Sequence, residues 1–294
     1  MPDANSLEEL QDAALTVIAA TRDEVVWLFD NFSQEGDLVD DTLKRLSFFM
    51  SSRSQTVSYL VSSNYIWDAE IVLRSFYEAN AKIWYICDLD DAERKSAVAE
   101  FWGEYASMHN HKRRHRANLA LSSISFGRDK SGELVYAPLT DPDAFEFGEN
   151  NKGERRRLEG KWSFSEIVNR LANGNGAVLD WKPIVALLHM YGQQSHLAHA
   201  DDAALDLMMD RMMREPDELL LLSASHIARI FSDQATMWVI SEALLRHRYS
   251  ARPRAGNSIT QLYSRFADLA SSIEREFYAH LERNDAVHGA SGAA

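Results

Sequence analysis

Apolar residues recur at three- and four-residue spacing along most of this chain, which is the period of an amphipathic α-helix. The pattern predicts four long helices in the first 122 residues, with a break at Gly36-Asp37 between the first two. It predicts four more, over about 163–172, 180–199, 217–248 and 258–284. Short connections between helices favour antiparallel neighbours. The sequence therefore predicts an all-α fold, an antiparallel bundle of about eight helices.

Two segments depart from the helical period. Residues 125–162 contain five glycines and two prolines and show no helical spacing, so we expect a long irregular insertion there. Residues 285–294 are small and polar, which predicts a disordered tail. No composition shift marks a boundary elsewhere, and we expect one helical domain over residues 1–284.

The charge and the cysteine content of the chain exclude several classes of function. The net charge of −13 opposes non-specific binding of nucleic acid over the whole surface. Two basic clusters, 112–116 and 155–157, are either solvated helix faces or confined sites for an anionic ligand. The single cysteine, Cys87, excludes an internal disulfide and a cysteine-based zinc site. With a polar, acidic start and no run of ~18 apolar residues, we expect a cytoplasmic protein with no membrane segment.

The third predicted helix carries charged residues beside its apolar stripe. Glu70, Arg74 and Glu78 follow one another at four-residue spacing and therefore share one helix face. Such a ladder is either a set of surface ion pairs, each weakly stabilising, or part of a site in which Arg74 is positioned by carboxylates.

A second polar set lies about 120 residues later. Tyr191, Ser195 and His199 share one face of a predicted helix, with Asp202 a turn further on and His196 on an adjacent strip. Nearby carboxylates can orient a histidine, and a histidine that titrates near neutral pH can act as general acid or base or hold a phosphate. If both sets form one site, the two helices must pack side by side, with Arg74 or Glu78 within hydrogen-bond or one-water reach of the later residues.

Metal binding is a further alternative. His196, His199 and Asp202, with Glu78 from the earlier helix, are the residue types that bind metals in helical bundles. The paired Glu-x-x-His repeat typical of such sites is absent, and so is a glycine-rich phosphate loop. We therefore predict no metal and no other cofactor.

The motifs Leu73-Arg74-Ser75-x-x-Glu78 and Tyr191-x-x-x-Ser195-x-x-x-His199 resemble those of a widespread bacterial family of uncharacterised all-helical proteins. The lead-in 161–163, Lys-Trp-Ser, fits the same pattern. That family is in turn similar to the HEPN (higher eukaryotes and prokaryotes nucleotide-binding) helical domains. The resemblance implies a dimeric, metal-independent ribonuclease of toxin–antitoxin or phage-defence systems.

One departure from the HEPN pattern concerns the arginine that precedes the catalytic histidine by four to six intervening residues. No arginine stands at that distance before His199. The spacing does occur at Arg275/His280 and Arg283/His288, but about two such hits are expected by chance. Arg74 would have to supply the missing guanidinium through space.

These observations give a working hypothesis of a HEPN-like protein of bacterial defence or stress that binds RNA or a nucleotide and cleaves RNA. His199 would be the general acid/base, Arg74 would hold a phosphate, and Glu78 would position Arg74. Hydrogen bonds and binding contacts are expected from the remaining polar residues, Tyr191, Ser195, His196, Glu70 and Asp202. Expected partners are RNA or a nucleotide, an antitoxin or other neighbouring-operon protein, and a second copy of the chain. The alternative is a non-catalytic interaction module in which the same cluster fixes helix register.

Overall fold

The computed structural model describes residues 4–123, 152–174, 179–254, 256 and 258–291, and these residues are helical with no strand among them. The helices are α1 (Ala4–Phe32), α2 (Leu38–Ser62), α3 (Ile66–Asp88), α4 (Asp91–Glu100), α5 (Ala106–Ser123), α6 (Lys152–Lys161), α7 (Phe164–Asn173), α8 (Ala186–His199), α9 (Asp202–Met213), α10 (Pro216–Arg248) and α11 (Ile259–Ser291). A π-helical turn, Phe101–Tyr105, joins α4 to α5, and a 3-10 turn, Lys182–Val185, leads into α8. The all-α prediction is confirmed, and the number of helices is close to the expected eight.

Side-chain hydrogen bonds cap the start of two helices, and one residue in a left-handed backbone conformation ends another. Asp37 accepts a hydrogen bond from the Asp40 backbone N–H at the start of α2, and Asp201 accepts one from the Ala204 N–H at the start of α9. Between α8 and α9, Ala200 adopts φ 48°, a conformation that ends a helix but is costly for a residue with a Cβ. This residue turns the chain sharply from α8 into α9.

The chain divides into two compact units. The first contains the residues up to Asp88 and those from Val168 onward, and the second contains Leu89–Ile167. A single domain over 1–284 stays a prediction, because two compact units can still unfold together cooperatively. None of the helices described in either unit combines the length and apolar character needed to cross a bilayer.

The core of the first unit forms around α3 and α10. Helix α3 packs against α2, α8 and α10, while α10 also packs against α1 and α11. The predicted core stripe of α3 is buried throughout; its members are Leu73, Phe76, Asn80, Ile83 and Cys87. Because α3 is covered on three sides, its polar side chains must find partners on the neighbouring helices.

One such partnership is a fully buried hydrogen-bond chain between α3 and α10. The Trp84 indole N–H donates to the Ser241 hydroxyl at 2.8 Å, and that hydroxyl donates to Asn80 Oδ1 at 2.8 Å. The Asn80 amide in turn donates to the Phe76 carbonyl at 2.8 Å. Ser241 therefore satisfies two buried groups at once, and it fixes how α10 is positioned along α3.

In the second unit, the C-terminal part of the predicted irregular insertion is helical. Residues 152–161 form α6, so the prediction of irregular chain over 125–162 is wrong for this part, while 124–151 lie outside the described residues. Glycines at 153 and 160 were the reason that no helix was predicted here. Ion pairs stabilise it, since Arg157 pairs with Glu154 three residues earlier and with Glu100 of α4 at 2.9 Å. The basic cluster 155–157 is thus largely neutralised by carboxylates, since Arg155 also pairs with Glu159.

The last helix of the first unit is longer than the periodicity predicted. Helix α11 was expected to end near Asn284, and its backbone continues to Ser291. The tail expected from residue 285 is therefore helical as far as Ser291, and residues 292–294 lie outside the part that the structure describes.

Replacing Ser241 by alanine tests the buried chain between α3 and α10. The substitution leaves the Trp84 N–H and Asn80 Oδ1 without partners in a dry core, which should lower the free energy of unfolding by about 2–4 kcal/mol. Urea titration measures the loss. Ser62→Ala, at an exposed position on α2, is the control and should change stability by less than about 0.5 kcal/mol. A Ser241→Ala protein as stable as the control would contradict this account.

Candidate functional site

Arg74 and Glu78 of α3 meet Tyr191 and Ser195 of α8 where these two helices pack together. Arg74 donates from Nη1 to the Ser195 hydroxyl at 3.2 Å and from Nη2 to the Tyr191 hydroxyl at 3.0 Å. The Tyr191 hydroxyl donates its own proton to Glu78 Oε1 at 2.7 Å. The predicted juxtaposition of the two motifs is therefore confirmed in geometry. We call these four residues the Arg74 cluster.

The Arg74 guanidinium is held in position without being fully enclosed. Its Cζ lies 4.7 Å from the centroid of the Tyr191 ring, a cation–π contact, and its Nε lies 3.6 Å from Glu78 Oε1. The side chains of Arg74 and Glu78 remain 25% and 37% exposed. The cluster thus combines a fixed orientation with access from solvent, which distinguishes it from a closed core network.

Tyr191 acts as a hydrogen-bond donor and does not release its proton. Partial burial, together with its hydrogen bond to Glu78, raises the pKa of Tyr191 to about 12. The phenol therefore keeps its proton at neutral pH and orients both Arg74 and Glu78. Its predicted role in binding a ligand stays a prediction.

His199 lies outside the hydrogen-bonded cluster. It is the last residue of α8, one helical turn beyond Ser195, and its side chain is exposed. Within the described residues it makes no hydrogen bond, and its charged neighbour is Asp201. The structure thus brings Tyr191 and Ser195 to Arg74, but leaves His199 at the open end of the helix.

Asp201 orients His196, and not His199 as the sequence had suggested. The His196 Nδ1 lies 2.5 Å from Asp201 Oδ2, and this hydrogen bond lowers the pKa of the Asp201 carboxyl. Asp202 was expected to continue the face of α8, but the turn at Ala200 places it in the first turn of α9, where it is exposed. The expectation that Asp202 joins the face of His199 is therefore wrong, because α8 ends before that residue.

Glu70 belongs to a different set of contacts. Its side chain is buried, and it pairs with Arg229 of α10 and accepts a hydrogen bond from the Gln194 amide at 3.2 Å. Arg229 also donates to Asp233 at 2.6 Å, and the Tyr77 hydroxyl donates to the same carboxylate. We call these five residues, from α3, α8 and α10, the buried polar layer. The predicted row of Glu70, Arg74 and Glu78 therefore does not act as one set. Glu70 lies in the core, while Arg74 and Glu78 contact α8.

The buried polar layer contains four residues that the sequence did not single out, Tyr77, Gln194, Arg229 and Asp233. Burial raises the pKa of Asp233, and the Arg229 guanidinium opposes that shift. The four-residue spacing of Arg229 and Asp233 on α10 was the available signal, but the same spacing is common on exposed faces. Only the packing of α10 against α3 distinguishes the two situations.

His226 lies at the rim of the buried polar layer as a neutral histidine. Arg211 Nη2 is 2.7 Å from His226 Nε2, and because a guanidinium can only donate, this nitrogen is the acceptor. The proton then resides on Nδ1, which faces Glu70 Oε1 at 3.5 Å. Burial, aided by the charge of Arg211, lowers the pKa of His226 to about 4.

The residues proposed as metal ligands do not lie close enough together to bind one ion. Among the parts of the chain that the structure describes, no three histidine, cysteine or carboxylate side chains come together as a metal site would require. His196 is bound to Asp201, and Glu78 accepts from Tyr191. The metal-binding alternative therefore has no geometric support in these residues.

Comparison with models of protein families, with curated proteins and with solved structures gave no match for this chain. The resemblance to HEPN domains accordingly rests on the two motifs and their order.

The depressed pKa of His226 predicts a pH-dependent loss of stability. The unfolded chain binds this proton near pH 6.5 and the folded chain only near pH 4, so the unfolded state gains the proton first as pH falls. Relative to a His226→Gln variant, the wild-type protein should therefore lose on the order of 3 kcal/mol of stability between these values. Urea titrations across this pH range measure the difference. Parallel pH profiles for the two proteins would contradict the neutral, buried assignment of His226.

Proposed function

We propose that this chain is a HEPN-like helical protein that binds RNA or a nucleotide through the Arg74 cluster. The observation that carries the proposal is a partly exposed arginine whose orientation is set by two hydroxyl groups and an aromatic ring. The proposed setting, implied by the resemblance, is bacterial defence or stress response. The proposed partners are a second copy of the chain and an antitoxin-like neighbour.

Phosphate is the anionic group that this arrangement suits best. A guanidinium presents several N–H donors in one plane and can grip two phosphate oxygens at once. Tyr191 and Ser195 are uncharged, so they orient Arg74 without cancelling its charge. Glu78, 3.6 Å from Nε and 37% exposed, forms a solvent-screened ion pair that offsets part of that charge. An incoming phosphate would replace the weaker hydroxyl contacts and leave the ring contact in place.

Cleavage of RNA would fall to the histidines at the open end of α8. His199 is exposed one turn beyond Ser195, which is about 6 Å along the helix. A phosphodiester held at Arg74 extends over several ångströms, so a neighbouring 2′-hydroxyl or leaving oxygen could lie beside this imidazole. In this proposal His199 transfers the proton as general acid or base and no metal takes part.

A second candidate function is a non-catalytic interaction module. It is favoured by the hydrogen bonds within the Arg74 cluster, in which Arg74 donates to two hydroxyls and Tyr191 donates to Glu78. A polar ring of this kind can hold α3 and α8 in register without any ligand. The two candidates differ in whether removal of the guanidinium affects binding of a phosphate ligand.

Replacing Arg74 by alanine tests the binding proposal. Wild-type protein should bind a short fluorescent single-stranded RNA, and Arg74→Ala should weaken binding roughly tenfold or more, because a charge-assisted hydrogen bond is lost. Fluorescence anisotropy at fixed salt measures the affinity. Arg45→Ala is the matched control, since Arg45 also pairs with a carboxylate four residues away but lies on α2. Absence of RNA binding by the wild type, or equal losses in both variants, would contradict the proposal.

The cleavage step is tested separately with His199→Ala on the same labelled RNA, followed by gel electrophoresis in the presence of a chelator. Cleavage should fall at least about a hundredfold while RNA affinity changes little, because a general acid/base acts on the reaction rather than on binding. His189→Ala, at another exposed histidine of α8, is the control. If wild-type protein binds RNA without cutting it, the binding proposal stands and the ribonuclease part is refuted.

A further inference from the structure

Helix α9 displays an unusual row of exposed apolar side chains. Its exposed methionines and one leucine form what we call the methionine face: Leu205, Met208, Met209, Met212 and Met213. Exposure rises along the helix and reaches 76% at Met212 and 79% at Met213. Scattered apolar residues on a surface are normal, but a contiguous row marks an interaction site.

The first unit does not use the methionine face for its own folding. Ala204 is the only buried residue of α9, and Leu207 and Arg211 beside it are half-buried. These three positions share one side of the helix and face the bundle. The row from Leu205 to Met212 lies on the adjacent side, so α9 rests on the bundle by a narrow strip and leaves its apolar side to solvent.

The surroundings of the methionine face are acidic. Residues 201–218 contain seven acidic and two basic residues, a local net charge of −5. Asp202, Asp206 and Asp210 recur at four-residue spacing and form the flank of α9 next to the methionines. Arg214 already pairs with Asp210 at 2.8 Å, and Arg211 is engaged with His226. An occupant of this face must therefore supply apolar side chains together with positive charge.

We propose that the methionine face is the docking site for a basic amphipathic helix of another protein. Methionine side chains are flexible and polarisable, and they adapt to partners of different shape. An amphipathic helix would lay its apolar side on the methionines and its lysines or arginines beside the aspartate flank. This function is independent of the Arg74 cluster, which lies on α3 and α8, and it goes beyond RNA binding.

The negative charge beside the methionine face disfavours a second copy of the chain, RNA and an anionic membrane as occupants. A second copy pairing antiparallel about a two-fold axis would place the aspartate flank of one α9 beside that of the other, and like charges in contact are unfavourable. RNA and an anionic membrane would meet the same repulsion. The exposed fractions of the five side chains add up to about three whole residues, roughly 600 Å², which is the larger part of the about 800 Å² that one partner buries in a standard interface.

The test uses the full chain and two model peptides of about 18 residues that form amphipathic helices, one with leucine and lysine and one with leucine and glutamate. The lysine peptide should bind with a micromolar dissociation constant that weakens as salt rises, and the glutamate peptide should bind at least roughly tenfold more weakly. A double variant, Met209→Ser with Met212→Ser, should lose at least about tenfold in affinity for the lysine peptide. Phe48→Ser is the matched control, because Phe48 is 78% exposed on α2, and it should bind like wild type.

Circular dichroism and thermal melting of the variants establish that all of them fold, as expected for side chains this exposed. Equal affinity for both peptides, or no effect of the double methionine variant, would overturn the proposal. So would a dimer in sedimentation analysis that dissociates in that variant, because a second copy would then be the occupant. Binding of the wild type to zwitterionic lipid vesicles, lost in the same variant, would overturn it in favour of a lipid surface.

Discussion

The buried carboxylate of Glu70 needs a buried cation, and Arg229 of α10 supplies it. An unpaired charge in this position would cost several kcal/mol, so α3 and α10 can pack only in the register that joins the two residues. The same guanidinium reaches Asp233, which also accepts from Tyr77, and Gln194 brings α8 to the other oxygen of Glu70. Three helices of the first unit are therefore fixed relative to one another by one set of polar contacts.

The Arg74 cluster follows from that register. Arg74 lies one turn after Glu70 on α3, and Ser195 comes directly after Gln194 on α8, so the contact between Glu70 and Gln194 brings Arg74 opposite Ser195. The buried polar layer and the Arg74 cluster are thus inner and outer parts of one helix interface. In the inner part the charged groups pair with other protein groups, while the outer part keeps an arginine accessible. This division assigns helix register to the inner contacts, while the proposed ligand binding would use the outer ones.

Much of this could be predicted from sequence, because helical period and motif spacing are local properties. The core stripe of α3, the shared face of Arg74 and Glu78 and the shared face of Tyr191 and Ser195 follow from helical period. The meeting of these two faces followed only from the hypothesis that both belong to one site. The partner of Glu70 could not be predicted, since it depends on Arg229, distant in sequence. The helix over 152–161 was missed because glycines outweighed its Arg–Glu pairs. The end of α8 at His199 was predicted correctly, but the placing of Asp202 on its face was wrong, because Ala200 adopts a left-handed conformation that alanine rarely takes.

The central claim, that the pairing of Glu70 with Arg229 fixes the register of α3 and α10, is tested most directly by a double-mutant cycle. Glu70→Gln, Arg229→Gln and the double variant are compared with wild type by urea unfolding. Arg229→Gln should cost about 3–5 kcal/mol, because Glu70 and Asp233 both lose their buried cation. Glu70→Gln should cost less, about 1–3 kcal/mol, because Arg229 keeps its ion pair with Asp233. The double variant should then lose at least about 2 kcal/mol less than the sum of the two, because both charges are gone. Additive losses, or single losses below about 1 kcal/mol, would contradict the claim.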